Sequence, residues 1–293
     1  MKNREQNSTI IGVDLGGTNI RSGKIQNGEI VHESSIRVPE NGQNKEAVIK
    51  AIKNTIADVY DQNVAAIGVG VPSLVNRHSG IVYDVQNIPS WKMVNLKEIL
   101  ENIFDVPVFI DNDANCFALG EKVYGKGRGY DDFVGITLGT GFGAGIIKNG
   151  RLMDDANCCS GEFGSVPYLD KTLEDYCSGK FFAQNFQKTG EEIYHLAMQG
   201  NKEALEALEQ IGYHIANAIK IVLFTVDPKL IIFGGSVAKA HEFFKNTMIN
   251  ELKKFPYQHV IHKLQLEFSE IKHSAILGAG ALCFNNIAQF AEI

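Results

Sequence analysis

The chain has 293 residues, of which 44% are hydrophobic, with 28 Lys and Arg against 34 Asp and Glu and a formal net charge of −6. That length accommodates two domains with separate cores, and no apolar run reaches the span of a bilayer. An acidic chain without clustered Lys and Arg is a poor general partner for nucleic acid or a membrane surface, although a small anion can still bind locally.

The first nine residues, MKNREQNST, are polar throughout. They offer no apolar signal segment, so a cytoplasmic protein is expected. Five cysteines, Cys116, Cys158, Cys159, Cys177 and Cys283, follow no C-x-x-C spacing and are expected as reduced thiols. Side chains at the adjacent positions Cys158 and Cys159 diverge in regular structure, which disfavours joint chelation of one metal.

A Gly-rich hairpin opens the chain at Ile11, IGVDLGGTNIRSGKIQNGEI, and returns at Val134 as VGITLGTGFGAGIIKNGRL. The copies are offset by 123 residues at Gly16 and Gly139 but by 122 at the pairs Asn27-Gly28 and Asn149-Gly150, so one residue is lost between them. Each predicts a β-branched strand, a Gly and Thr turn, a second strand and an Asn-Gly turn with positive φ. Consecutive N–H groups in such Gly turns form anion nests, and two of them suggest a cleft between similar domains that holds a polyphosphate. Asp14 adds a carboxylate at the first turn, able to orient Mg²⁺ or simply to make an Asx-turn. The second copy has Thr137 at that position.

A third strand is predicted over 28–38. Val48, Ile49, Ile52, Ile56 and Val59 then fall at helical spacing between Asn44 and Tyr60. The apolar runs Val64 to Val71 and Val106 to Ile110 read as buried strands of a helix-covered α/β sheet. Asn112-Asp113 follows the second run. A carboxylate there faces the crevice at the strand ends and can act as a base toward a hydroxyl, or it can cap the next helix. Glycines between Gly120 and Gly129 could form a hinge. The second half repeats the order, with helices expected from about Leu173 to Phe186 and from Lys202 to Phe224, then a strand from Lys229 to Phe233.

Taken together, DLGGTNIR at 14–21, IDNDAN at 110–115, LGTGFGAGI at 138–146, SGEFG at 160–164, LEDYCSG at 173–179, FGG at 233–235 and ILGAGAL at 276–282 resemble the ordered motifs of ROK-family sugar kinases. The resemblance spans almost the whole chain. It implies an α/β fold of two similar RNase H-like, actin-like domains flanking an ATP and sugar cleft. The domains would cover 1–119 and 120–276, with a C-terminal helix at 277–293 packing back on the first. It implies Asp113 as catalytic base, and Asn112, Glu162, Glu174 and more weakly Asn87 as sugar contacts. Asp14, Gly16, Gly17, Thr18 and Asn19, with Gly139, Thr140 and Gly141, would hold Mg²⁺ and the ATP phosphates, Asp14 directly or through water. Gly234 and Gly235 would floor the adenosine site. Trp91, the only Trp, follows Asn87 and is either a core anchor or part of that weaker contact.

The implied function is an ATP-dependent hexose kinase, glucose at the 6-hydroxyl first, with fructose, mannose or an N-acetylhexosamine as alternatives. Small-molecule sugar and ATP are the implied partners, a homodimer is allowed, and neither nucleic acid nor membrane is. Non-catalytic sugar-sensing relatives carry an N-terminal helix-turn-helix, for which the nine residues before the first strand are too few. An actin-like assembling ATPase is the reading from a third class. Most of the family has His where this chain has Ser165, followed by a C-x-C-G-x-x-G-C zinc loop. Here residues 166–174 read VPYLDKTLE, which supplies no N or S ligand. Val166, Pro167, Tyr168 and Leu169 are expected to cover the base of the sugar site instead. Elemental analysis of purified protein should therefore find no stoichiometric zinc. One zinc per chain would point to Cys158, Cys159, Cys177 and His195 as ligands.

Overall fold

The computed structural model describes residues 8–39, 44–85, 88–156 and 158–290, the last six by backbone alone. They form two compact units. The first takes the described residues up to Arg128, those between Arg151 and Ser160 and those from Ile271 onward; the second takes Gly129–Gly150 and Gly161–Glu270.

The first unit begins with β1 (Thr9–Leu15), β2 (Asn19–Gln26), β3 (Glu29–Arg37), α1 (Lys45–Val59) and β4 (Val64–Val71). A small meander, β5 (Leu74–Asn76), β6 (Ile81–Tyr83) and β7 (Met93–Asn95), precedes α2 (Leu96–Phe104), β8 (Val108–Asn112) and α3 (Asp113–Tyr124). The main sheet runs β3-β2-β1-β4-β8. β1 is antiparallel to β2 and parallel to β4, and β4 is parallel to β8. The helix predicted between Asn44 and Tyr60 forms because Asn44 caps it, accepting from the Ala47 N–H at 2.9 Å, and because Val48, Ile52, Ile56 and Val59 share its buried stripe. Trp91 is fully buried beside Val85, Ile88 and Val94, so it is a core anchor.

The second unit opens with β9 (Phe133–Leu138) and β10 (Phe142–Lys148); β11 (Arg151–Leu152) lies in the segment that belongs to the first. It continues through β12 (Pro167–Tyr168), β13 (Lys171–Thr172), α4 (Leu173–Cys177), α5 (Gly179–Phe186), α6 (Gly190–Met198), α7 (Lys202–Thr225), β14 (Leu230–Gly234), α8 (His241–Leu252), α9 (Gln258–Lys263) and β15 (Gln265–Phe268). Within it the strands run β10-β9-β14-β15. β9 is antiparallel to β10 and parallel to β14, which is parallel to β15. Each unit thus carries an antiparallel hairpin followed by two parallel strands, the topology that the repeated sequence implied. The helix expected over 173–186 is two helices, because Ser178 is extended at φ −123° and ψ −175° and caps α5 from a fully buried position.

The final helix, α10 (Ser274–Phe290), packs on β1, β4, β8 and α3. Its contact with the sheet is made backbone to backbone. A Cβ at Gly12 would lie 2.0 Å from the Ile276 carbonyl oxygen, and one at Gly68 would lie 1.9 Å from that of Ala279. The first unit runs past residue 119 because α3 continues unbroken against α10, where a Cβ at Gly120 would sit 3.0 Å from the Gly278 Cα. Gly120 therefore serves a helix crossing and not a hinge. Among the described residues no helix is long and apolar enough to cross a membrane.

Gly68→Ala should lower unfolding free energy in urea by about 2–3 kcal/mol, since overpacking against backbone cannot relax by a rotamer change. Gly129→Ala, with nothing within 4 Å of its Cβ position, should stay within about 0.5 kcal/mol of wild type. Equal effects would remove the close contact as a determinant of stability.

Candidate active site

Both Gly turns are built alike. Gly16 N–H closes the first on the Asn19 carbonyl at 3.0 Å, and Gly139 N–H closes the second on the Gly141 carbonyl at 3.0 Å. Among the described residues, the N–H groups of Gly17 and Thr18, and of Thr140 and Gly141, have no acceptor within the protein. Two adjacent free amides in each turn make the nest that an anion requires. The strand registers also locate the lost residue. Leu15 pairs with Ile20 across four turn residues, while Leu138 pairs with Phe142 across three, so the offset falls from 138 − 15 = 123 to 142 − 20 = 122.

Asp14 lies inside β1, paired with Arg21 on β2 and with Gly70 on β4. Its burial pushes the carboxyl above the ordinary value, and the charge of Arg21 opposes the shift. At the neighbouring strand end Asn112 pairs with Val71 and is the N-cap of α3. Its Oδ1 accepts from the Ala114 N–H at 2.8 Å and its Nδ2 donates to the Ser73 carbonyl at 3.2 Å. The cap is therefore Asn112. Asp113 is the first helical residue, exposed, with Oδ1 accepting from the same Ala114 N–H at 2.8 Å. The fields of Asp14 and Asp113 overlap at Cys116, whose thiol is pushed up by burial first and then by Asp111, Asp113 and Asp14.

Sequence reasoning passed over Asp111, Arg77 and Asp155. Asp111 is almost fully buried, and its Oδ2 accepts from Arg77 Nε at 2.8 Å. Its Oδ1 accepts from the Asn112 N–H at 2.7 Å and from Asn115 Nδ2 at 2.8 Å. Burial raises the carboxyl, and Arg77 most strongly counters it. Nothing local in the sequence marks a partnership between positions 77 and 111.

In the second unit, Glu174 rides on α4, whose start is fixed by a capping box between Thr172 and Asp175. Its Oε1 meets Lys180 Nζ at 2.5 Å, and its Oε2 accepts from the Phe142 N–H at 3.0 Å. A Cβ at Gly141 would come 2.6 Å from that Oε2, so the turn glycine is what admits the carboxylate. Partial burial, and secondarily the Glu174 charge, hold the Glu162 carboxyl above its ordinary value. Gly235, at φ +90°, sits where a Cβ would meet the Leu138 carbonyl oxygen at 2.3 Å, and Gly234 pairs with Thr137. The second unit thus gathers Gly139, Thr140, Gly141, Glu162, Glu174, Gly234 and Gly235. The first gathers Asp14, the turn 16–19, Asn112 and Asp113. Asn87 lies outside the described residues.

Ser165 is exposed in a short 3-10 turn, and the following residues form the β12–β13 hairpin. Leu169 at its tip is 70% exposed with φ +54°, and Pro167 is exposed, so neither covers a site. A two-residue turn with positive φ points Leu169 into solvent. The hairpin is held by Tyr168, whose hydroxyl lies 3.2 Å from His214 Nδ1 and whose ring meets Tyr176 edge-on at 5.4 Å. No group of three or more His, Cys, Asp or Glu suited to a metal occurs among the described residues.

The profile of the ROK family matches residues 10–286. The chain belongs to the ROK family. Among curated ROK relatives it is 29% identical to a glucokinase of Thermotoga maritima, over 93% of this chain and 96% of that one. It is 27% identical to a xylose repressor of Caldicellulosiruptor bescii, over 97% of this chain and 80% of that one. A solved ROK family glucokinase from Streptomyces griseus, in complex with glucose and AMPPNP, superposes with a TM-score of 0.79 at 25% identity, covering 94% and 99% of the two chains. These ROK relatives include sugar kinases and a regulator.

If Glu162 and Glu174 share a field, Glu174→Gln removes a repelling charge and Glu162 should titrate at lower pH, nearer the ordinary carboxylate range. Carboxyl-carbon NMR of labelled Glu162 reads this directly. An unmoved titration would show that the two groups act independently.

Proposed function

We propose that this ROK protein is an ATP-dependent kinase that phosphorylates a hexose, glucose at the 6-hydroxyl in the first instance. One observation carries the reading: the exposed Asp113 carboxylate is fixed at the end of β8, in the unit that also holds the open-amide turn at Gly17 and Thr18. The Asp113 carboxylate is open to solvent and can accept a proton from a hydroxyl, whereas the buried Asp111 beside it is already engaged by Arg77.

In the proposed reaction Asp113 accepts the hydroxyl proton as the sugar oxygen attacks the γ-phosphorus. The bond from that phosphorus to the β,γ-bridging oxygen breaks, and ADP leaves with its electron pair. The amides of Gly17 and Thr18 and of Thr140 and Gly141 supply fixed dipoles for phosphate oxygens, a preorganised stabilisation that needs no rearrangement during the reaction. Gly16 and Asn19, and likewise Gly139, shape those turns. Gly234 and Gly235 leave a side-chain-free surface suited to adenosine. Asn112, Glu162 and Glu174 are assigned to sugar hydroxyls, with the Glu174 carboxylate divided between that role and Lys180.

Asp14 suits a hard cation. Its half-buried carboxyl is disfavoured as an anion by its surroundings, and a divalent ion with oxygen ligands would restore that charge balance. Mg²⁺ held there, directly or through water, would neutralise charge between the β- and γ-phosphates.

A panel of hexoses and hexosamines with ATP and Mg²⁺, read as ADP release, tests the activity and names the sugar. Sugar binding without ADP release would favour a sensing role. Asp113→Asn should lower kcat by about 10²-fold or more while ATP affinity changes little. Near-wild-type turnover would reduce Asp113 to a helix residue.

A further inference from the structure

Arg77 lies between β5 and β6 and has no role in the reading above, yet its side chain is three-quarters buried, donates to two acceptors and pairs with a second carboxylate. Nε donates to Asp111 Oδ2 at 2.8 Å, Nη1 donates to the Met153 carbonyl at 2.8 Å, and Nη2 lies 4.0 Å from Asp155 Oδ2. Two of these anchors, Asp111 and Asp155, organise backbone close to a proposed sugar contact. Asp111 takes the Asn112 N–H and the Asn115 amide on its other oxygen, and so sets the turn that presents Asn112 and Asp113. Asp155 Oδ2 accepts from the Ser160 hydroxyl at 2.6 Å and the Ser160 N–H at 3.3 Å, and its Oδ1 accepts from the Cys158 N–H at 3.2 Å. Those bonds tie Asp155 to Cys158, at φ +61°, and to Ser160, which lies two residues ahead of Glu162.

We propose that Arg77 is a positioning residue for the phosphoryl transfer proposed above: one guanidinium fixes both the strand end that carries the base and the loop that leads into Glu162. The inference rests on that functional reading. Arginine is needed because its rigid fork aims three N–H groups in different directions, whereas a lysine ammonium is a point charge at the end of a flexible stem. A bland alternative is that the cluster only stabilises the fold, although buried ion pairs are weak stabilisers once desolvation is counted.

The two roles separate in Arg77→Lys and Asp155→Asn, each made in the full chain. Arg77→Lys keeps a cation beside Asp111 but loses the fork. It is expected to melt near the wild-type temperature while kcat falls about 10- to 100-fold and the sugar KM rises, as expected for small misplacements of reacting groups. Asp155→Asn loosens only the loop, so the sugar KM should rise several-fold with kcat nearly unchanged. Wild-type kcat and KM in folded Arg77→Lys would overturn the proposal. If Arg77→Lys does not fold, a wild-type sugar KM in Asp155→Asn would overturn it. A wild-type protein that releases no ADP with any sugar sinks the functional reading itself, and the Arg77 role falls with it. An active wild type with silent variants sinks the Arg77 role alone.

Discussion

The backbone contact between α10 and the first sheet sets the rest of the first unit. Gly12 on β1 and Gly68 on β4 let the carbonyls of Ile276 and Ala279 approach to distances that no side chain permits. On its other side α10 receives α3 just as closely, because a Cβ at Gly278 would lie 2.4 Å from the Cys116 carbonyl oxygen. The strands ending at Asp14 and Asn112, and the helix starting at Asp113, are thereby fixed against one rod contributed by residues more than 150 positions later in the chain. Close packing of this kind has little slack, since interiors at crystal-like density transmit a change in one contact to the next. The motif at 276–282 thus has a mechanical reading: its small residues allow α3, which begins at Asp113, to sit at a defined depth on the sheet.

Charge is divided in a way that follows from this geometry. Asp14, Asp111 and Asp113 all raise the Cys116 thiol, so three carboxylates crowd one small region. Three uncompensated anions there would repel and take up protons. Burial raises both Asp111 and Asp14 against the opposing charges of Arg77 and Arg21, and Asp113 lies at the surface. The three carboxylates therefore differ in what they can do. Asp111 is engaged by Arg77 and Asn115, Asp14 lies on β1 opposite Arg21, and Asp113, exposed at the start of α3, is the one proposed to take the proton.

What could be read in the sequence was local or periodic. The duplicated hairpin, the stripe from Val48 to Val59 and the buried strands at 64–71 and 108–112 follow from spacings of two or 3.6 residues, and the structure forms them within a residue or two of expectation. Competition between equally suited neighbours was not readable. Asn112 and Asp113 are both good caps, and only the turn geometry gives the cap to Asn112 and leaves Asp113 at the helix start. Ser178 likewise breaks a helix-compatible stretch because burial lets its hydroxyl donate to the Glu174 and Thr140 carbonyls. The Arg77 cluster was invisible for a different reason. Its members are separated by 34 and 44 positions, and an isolated Arg in a polar turn looks like any solvated cation.

The region around Ser165 shows how a short hairpin is held by side-chain packing. A hairpin of two residues per strand is far too short to be stable alone. Here it is seated on α4 and α7 through Tyr168, Tyr176 and His214, whose rings lie 4.8 to 5.7 Å apart. Edge-on and tilted aromatic pairs of this kind contribute about 0.5–1.5 kcal/mol each beyond area burial. Burial pushes the His214 pKa down, so the ring is held neutral and packs as an aromatic hydrogen-bonding partner for the Tyr168 hydroxyl. Because Tyr176 lies on α4, two residues beyond Glu174, the same rings that anchor the hairpin also seat the helix that carries the carboxylate. The anchor thereby holds Glu174 beside the Phe142 N–H that orients it.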